Sequence, residues 1–200
     1  MKRIIVEVYE LDDLPPDVRS KVIEKNRYTR VEDSCWDDFT LAEWTAKLSD
    51  EYGFTGAEIN YSGFSSQGDG ARFTCAKVNL DVAMALCPLP LKHKPAIIGA
   101  IQEHCNLSIP ENPRCRYYHK NSVNVELEWQ SYCPHEHKRL DKAIEQFTDW
   151  LEQERLGLCQ QIYRSLEKEY EYYTSDAAVK EDLADCLFFA DGRIVDPEMI

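Results

Sequence analysis

Two hundred residues, 44% hydrophobic and 30% charged and with eleven Tyr, seven Phe and four Trp, can bury a true core, which excludes wholesale disorder. The net charge of −13 is uneven: the last 60 residues hold 6 basic against 15 acidic groups, which argues against direct binding to nucleic-acid backbone or phospholipid and suits a basic protein partner. No apolar run approaches the roughly 20 residues of a membrane span and Met1–Glu7 lacks a signal-peptide pattern, so a cytoplasmic location without membrane contact is expected, and the eight cysteines read as buried thiols rather than disulfides.

Arg3–Tyr9 is rich in β-branched residues and reads as a strand; Asp12-Asp13-Leu14-Pro15-Pro16 ends it and opens a helix whose stripe is Val18, Val22 and Ile23. A second helix is predicted from Asp33 to Tyr52, capped by Ser34, with Trp36, Phe39, Trp44, Leu48 and Tyr52 largely on one side and Gly53 as its stop. Residues 57–80 read as a β-hairpin with a long loop. Leu80–Leu86 fits strand or short helix, and after Pro88, Pro90 and Pro95 a short helix is expected over Ala96–Cys105.

Val123, Val125, Leu127 and Trp129 alternate with Asn124, Glu126 and Glu128, the period of a strand with one buried face. Pairing with residues 114–119 would set Cys115 opposite Leu127, Arg116 opposite Glu126 and Arg114 opposite Glu128, so a second hairpin is expected there. A long acidic helix is predicted over about 137–173, with Gly157 as a point of bending, then a short helix from Thr174-Ser175-Asp176 to Cys186 and an Asp191-Gly192 hairpin over about 187–196. The whole is expected to be a single α+β domain over 1–200: a largely antiparallel sheet of hairpins packed against helices, with a long C-terminal helix.

The segment richest in chemistry runs from Tyr61 to Phe73. Ser62, Gly63, Ser65, Ser66, Gln67, Gly68, Asp69 and Gly70 supply close-approach backbone and hydrogen-bonding side chains, and Arg72 offers a counter-charge, so this loop is a candidate for holding a polar or nucleotide-like ligand. It carries neither a P-loop nor a dinucleotide fingerprint, and the competing reading is an ordinary hairpin tip. Trp36, at a helix start, is the candidate residue bordering such a site. Cys133-Pro134-His135-Glu136-His137 with Cys115, His119, His104 and Cys105 is the only zinc candidate, and its spacings fit helix starts and core packing better, so no metal or cofactor is expected. Asp12-Asp13, Asp37-Asp38 and Glu181-Asp182 are assigned to helix starts rather than to acid–base pairs, and Ser65 lacks a nucleophile elbow, so no catalytic residue is expected. Tyr163, Tyr170, Tyr172 and Tyr173, among Glu167, Glu169 and Glu171, read as core and surface alternation rather than a base-stacking platform.

Leu11–Arg27, Tyr61–Phe73 and Glu167–Asp176, in that order, together resemble uncharacterised proteins of bacteriophages and prophages, some of them labelled antitoxins. Ser-Gly-Phe-Ser-Ser-Gln-Gly-Asp-Gly-Ala, residues 62–71, is the most specific part of that resemblance. The resemblance implies no catalytic residues; it implies a context, since small acidic phage proteins often act against host defences. The resulting expectation is a non-enzymatic binding protein that antagonises a bacterial defence. It would do so either through Glu167, Glu169 and Glu171 on a basic partner or through a ligand in the 62–72 loop. The rivals are an enzyme acting on a nucleotide or other small phosphorylated molecule, centred on Asp69, Ser65 or Arg72, and a virion structural or assembly protein.

Overall fold

The computed structural model describes residues 7–33, 35–90, 94–130 and 138–196, the side chains of 138 and 139 excepted. Its contacts group into two units, Met1–Asp37 with Glu167–Ile200, and Asp38–Leu166. The elements are α+β, as the sequence pattern predicts, with short antiparallel sheets and a long helix near the C-terminus. Among the described residues no helix is long and apolar enough to cross a membrane.

In the first unit, a 3-10 turn at Leu11–Asp13 leads to α1 (Pro16–Asn26), whose proline sits in the first turn where no donor is lost. A four-residue helix, α2 (Thr29–Glu32), follows. Val22 and Ile23 are buried with Leu11, Leu14, Val179, Leu183 and Phe188. Arg27 donates to Asp176 Oδ1 at 2.7 Å and Arg30 to Asp182 Oδ1 at 3.0 Å. The predicted first strand lies mostly outside the described residues; its end, Tyr9, pairs with Phe188, and a turn at Asp191-Gly192 brings Phe188 back against Ile194.

The second unit is built on the hairpin of β2 (Glu58–Ser62) and β3 (Gly70–Thr74), in the register Glu58↔Thr74 to Ser62↔Gly70. It is flanked by α3 (Asp38–Asp50) and by β1 (Phe54–Thr55) paired with β4 (Lys77–Val78). Next come α4 (Leu80–Leu86), which resolves the ambiguous segment as a helix capped by Asn79, then α5 (Lys94–His104) and β5 (Cys105–Ser108). β6 (Glu126–Trp129) pairs with β5. Helix α6 (Lys138–Tyr173) runs unbroken through Gly157, and its turns from Glu167 belong to the first unit, as does α7 (Asp176–Asp182), capped by Ser175. Phe73 and Phe54 meet edge to face at 4.9 Å, and Leu48, Ile97, Ile109, Phe147, Leu158 and Ile162 are fully buried around them.

Four expectations are corrected here. Residues 114–119 form turns, not a strand: Asn112 accepts from the Arg114 and Cys115 amides, and His119 and Ser122 close a second turn, so the partner of β6 is β5, with Leu107 opposite Leu127. The charge match that favoured 114–119 is worth under about 1 kcal/mol per pair, and a backbone ladder would be gained with either partner, so the match is too small to fix the choice. Cys115 accordingly faces no strand, and Trp129 is 48% exposed although Val123 and Val125 are buried. The second predicted helix starts at Asp38, not Asp33, with residues 35–37 in a turn, and Phe39 is 77% exposed. At about 100° per residue, nine residues place Phe39 opposite the buried Leu48, and Leu41 takes the packing position instead. Glu181-Asp182 closes α7 rather than starting it, and Asp182 serves Arg30. Ser34 as a cap, and the Cys133–His137 cluster, lie outside the described residues. No disulfide links the described cysteines.

A buried ion pair on α6 fixes the chain that precedes β6. Arg155 is fully buried; its Nε and Nη2 grip both oxygens of Glu152, and its Nη1 donates to Lys120 O at 2.8 Å. The second face of Glu152 Oε2 accepts the Val125 amide at 3.0 Å. Burial works against ionisation of Glu152, but the hydrogen bonds from Arg155 and Val125 and the charge of Arg155 hold its carboxyl below the usual carboxylate value. A carboxyl depressed in the folded state adds stability above its unfolded pKa near 4.5, and that stability is lost as pH falls through the lower folded value. Glu152→Ala would leave a guanidinium with no access to water, whereas Arg155→Met leaves a carboxylate that is 28% exposed and can rehydrate. Urea unfolding at pH 7 should therefore show Glu152→Ala costing about 3–5 kcal/mol and Arg155→Met clearly less. The gap between Glu152→Ala and wild type should narrow as pH drops below 4; equal costs for both variants would contradict this account.

Candidate functional site

The loop between β2 and β3 is closed by its own acid. Asp69 Oδ2 accepts the amides of Ser65 at 2.8 Å and Ser66, and the Asp69 amide returns to Ser66 O. These successive N–H groups form an anion-binding concavity, and it is already filled by a carboxylate. Gly63, at φ +36°, makes room for it, because a Cβ there would sit 2.8 Å from both Asp69 oxygens. The loop is tied down at its apolar side by stacked rings, Tyr61 on Phe64 at 5.6 Å and Phe64 on Tyr163 of α6 at 5.6 Å. Ser65, Ser66 and Gln67 are left exposed at the tip.

At the foot of the loop the chain 111–121 crosses β3. The Ser62 hydroxyl donates to Tyr118 O at 3.2 Å, and a Cβ on Gly70 would lie 2.9 Å from His119 Cβ, so this close approach needs glycine. Under that crossing lies Arg72, at 1% exposure. Its guanidinium carbon sits 4.6 Å from the centre of the Tyr118 ring, and its Nη2 donates to Glu111 Oε1 at 2.9 Å. Its Nε and Nη1 are buried and reach no acceptor among the described residues. Glu111 itself is 69% exposed.

The predicted site residues therefore separate. Ser62, Gly63, Asp69, Gly70 and Arg72 are brought together by the β2–β3 register and the 111–121 crossing; Asp69 serves the loop itself and Arg72 carries the unmet hydrogen-bonding capacity. Gly68 and Gln67 belong to the turn at the tip. Trp36 meets Tyr170 and Tyr173 edge-on at 6.0 and 6.4 Å. Glu167, Glu169 and Glu171 do not line one side of α6: residues two apart on a helix point about 200° apart, so Glu167 and Glu171 share a face and Glu169 lies beside Tyr173. Burial and the Glu169 carboxylate push the Tyr173 hydroxyl up, while Arg30 stacks 4.3 Å over its ring.

Sequence reasoning missed Glu111 and the segment Arg114–Lys120, because it was assigned to a strand. The signal was present: residues 112–125 contain Arg114, Arg116, Tyr117, Tyr118 and Lys120 and not one Asp or Glu, in a chain of net −13. It also missed a cleft of about 630 Å³ between β4 and β5, where the chains part beyond the Cys75–Ile109 bridge. Of the charged and amide side chains there, Lys77, Asn79, Asp81 and Gln102 are exposed and Asn106 is half-buried. No group of His, Cys, Asp and Glu among the described residues is placed to hold a metal.

The family model described as Domain of unknown function (DUF8835) matches residues 36–176, well over half of the chain, and the chain belongs to that family. The match takes in the whole of the second unit, with the loop, Arg72 and the 111–121 crossing. No curated protein and no solved structure matches.

The closure of the loop by Asp69 has a direct readout. In Asp69→Ala the Ser65 and Ser66 amides lose their acceptor, and hydrogen exchange at both should accelerate by at least tenfold while the β2–β3 ladder amides hold. Unchanged exchange would mean that the carboxylate does not order the loop.

Proposed function

We propose that this member of the DUF8835 family is a non-enzymatic binding protein that holds a small anionic ligand at the foot of the 62–72 loop, with Arg72 as the recognising group. The observation that carries this is the buried guanidinium with two nitrogens, Nε and Nη1, that reach no acceptor among the described residues. Leaving buried polar groups unmet costs about 1–3 kcal/mol each, more when they are charged, so a position that needed only packing would be better served by an apolar side chain. The unmet Nε and Nη1 lie on opposite flanks of the guanidinium, so a carboxylate or phosphate takes one of them together with Nη2 as a fork, in place of Glu111. Glu111 is the internal stand-in: it meets one edge of the fork from an exposed position, and a ligand can displace it into water. The cover is anchored at Tyr118 and Lys120, so a ligand enters where the exposed Glu111 leaves rather than by lifting the whole crossing.

The same geometry weakens the rival readings. Asp69, the centre of the enzyme reading, is spent on the Ser65 and Ser66 amides. The acidic-helix reading needs a continuous face, and Glu167, Glu169 and Glu171 are divided between two. The biological setting we propose is a phage or mobile element, in which the protein sequesters a ligand used by a bacterial defence. This rests on the resemblance of residues 62–71 and on the acidic surface, and the host cytoplasm is the compartment where it would act.

The test is native mass spectrometry against the denatured mass, on protein purified from bacterial cells with and without phage infection. Wild type should carry an excess mass of a small molecule, and Arg72→Met should arrive bare while its urea midpoint stays at or above that of wild type. An excess mass kept in full by Arg72→Met, or bare wild-type protein from both kinds of cell, would overturn the reading.

A further inference from the structure

The segment that covers Arg72 differs in chemistry from the rest of the chain. Between Asn112 and Val125 it carries Arg114, Arg116 and Lys120 with no acidic residue, a formal +3 within a chain of −13. All three cations are exposed, and among the described residues none of them forms an ion pair. Tyr117, 53% exposed, stands between them, with the Arg116 guanidinium 5.9 Å from its ring centre. Tyr118, 38% exposed, has its ring on Arg72. Exposing two adjacent aromatic side chains gives up burial worth about 1.5–3 kcal/mol each, and holding three like charges within seven residues adds repulsion. Tyr118 offsets part of its cost by covering Arg72, and the more exposed Tyr117 has the looser ring contact with Arg116.

We infer that the ligand held at Arg72 is a nucleoside phosphate, its phosphate taken by Arg72 with Arg114, Arg116 and Lys120 and its base stacked on Tyr117. This rests on the anion-binding reading of Arg72 and adds the ligand class to it. Two unlike groups in one ligand are what the segment asks for: a multiply charged anion for the cations, and a flat π-face for an exposed tyrosine. Arginine meets phosphate oxygens in a fork, and on Arg72 either fork combines an unmet nitrogen, Nε or Nη1, with the Nη2 that Glu111 now holds, so the phosphate takes the place of Glu111. Charge decides between a nucleotide and a nucleic-acid strand. Screening confines the basic patch to a range of about 8 Å at physiological ionic strength, enough for one nucleotide. A longer strand would extend over a surface that carries the remaining charge of the chain, which is strongly negative.

The experiment uses the full chain and a fluorescent N-methylanthraniloyl derivative of ATP and of GTP. Each is titrated directly and then competed with unlabelled nucleotides, inorganic triphosphate and a 20-mer single-stranded DNA. Wild type should bind at least one nucleotide more tightly than inorganic triphosphate. Tyr117→Ala should lose about tenfold for the nucleotide and nothing for inorganic triphosphate. Arg114→Glu with Arg116→Glu, at exposed positions that leave folding intact, should lose binding of both. Equal affinity for nucleotide and triphosphate, with Tyr117→Ala unchanged, overturns the nucleoside assignment and leaves an anion site at Arg72 standing. DNA that competes more strongly than any nucleotide overturns it in favour of a strand. If the nucleotides bind and Arg72→Met binds them as wild type does, the assignment to Arg72 and the reading it rests on both fail.

Discussion

Arg155 sits on α6 with its guanidinium entirely out of water, where every N–H left unmet carries a desolvation cost. Glu152, one helical turn away, meets two edges, and the third goes to the carbonyl of Lys120. Because Glu152 also takes the Val125 amide, the pair clamps both ends of residues 120–125 to the helix. A segment without regular structure is thereby given a fixed position from below, and what lies just upstream of it, the crossing over β3, inherits that position.

The candidate site is a consequence of this clamp and of two glycines. With the crossing held, Gly70 allows the backbone at His119 to approach β3, and the Ser62 hydroxyl ties Tyr118 to β2. Arg72 is then roofed by Tyr118, and its one acceptor among the described residues is Glu111. On the far side of the hairpin tip, Gly63 lets Asp69 fold into its own loop. The two charged residues of the loop end in opposite situations. Asp69 is satisfied by neighbours five residues away or fewer, and Arg72 depends on a partner 39 residues distant that is mostly in solvent.

The distribution of charge fits this division of labour. A chain of net −13 is kept soluble and repels polyanions at long range, while a patch of +3 can still act on a single small anion within a Debye length. The aromatic residues follow the same split. Tyr61, Phe64 and Tyr163 stack on one another and stabilise the loop, while Tyr117 is left largely in solvent beside Arg116. The first unit has its own ring cluster of Trp36, Tyr170 and Tyr173, crossed by Arg30 and surrounded by ion pairs to α7.

The sequence by itself determined those features that depend on near neighbours. The Gly/Ser-rich tip between two strand-like runs, the proline that starts α1, the Thr174-Ser175-Asp176 start of α7, and the apolar stripe of α6 are written at spacings of one to four residues, where local sterics and hydrogen bonds decide. The interest of residues 62–72 was legible for the same reason. Only the tertiary structure decided which strand β6 would choose, since the alternation of Val123 to Trp129 names a face but not a partner, and the charge match with 114–119 was too small to fix one. It also decided that Asp69 is consumed and Arg72 is not, because the first outcome turns on the left-handed backbone of Gly63 and the second on the distant crossing of residues 111–121. Periodicity reports faces and turns. Whether a buried arginine is satisfied depends on chain segments far away in sequence, and no local pattern encodes that.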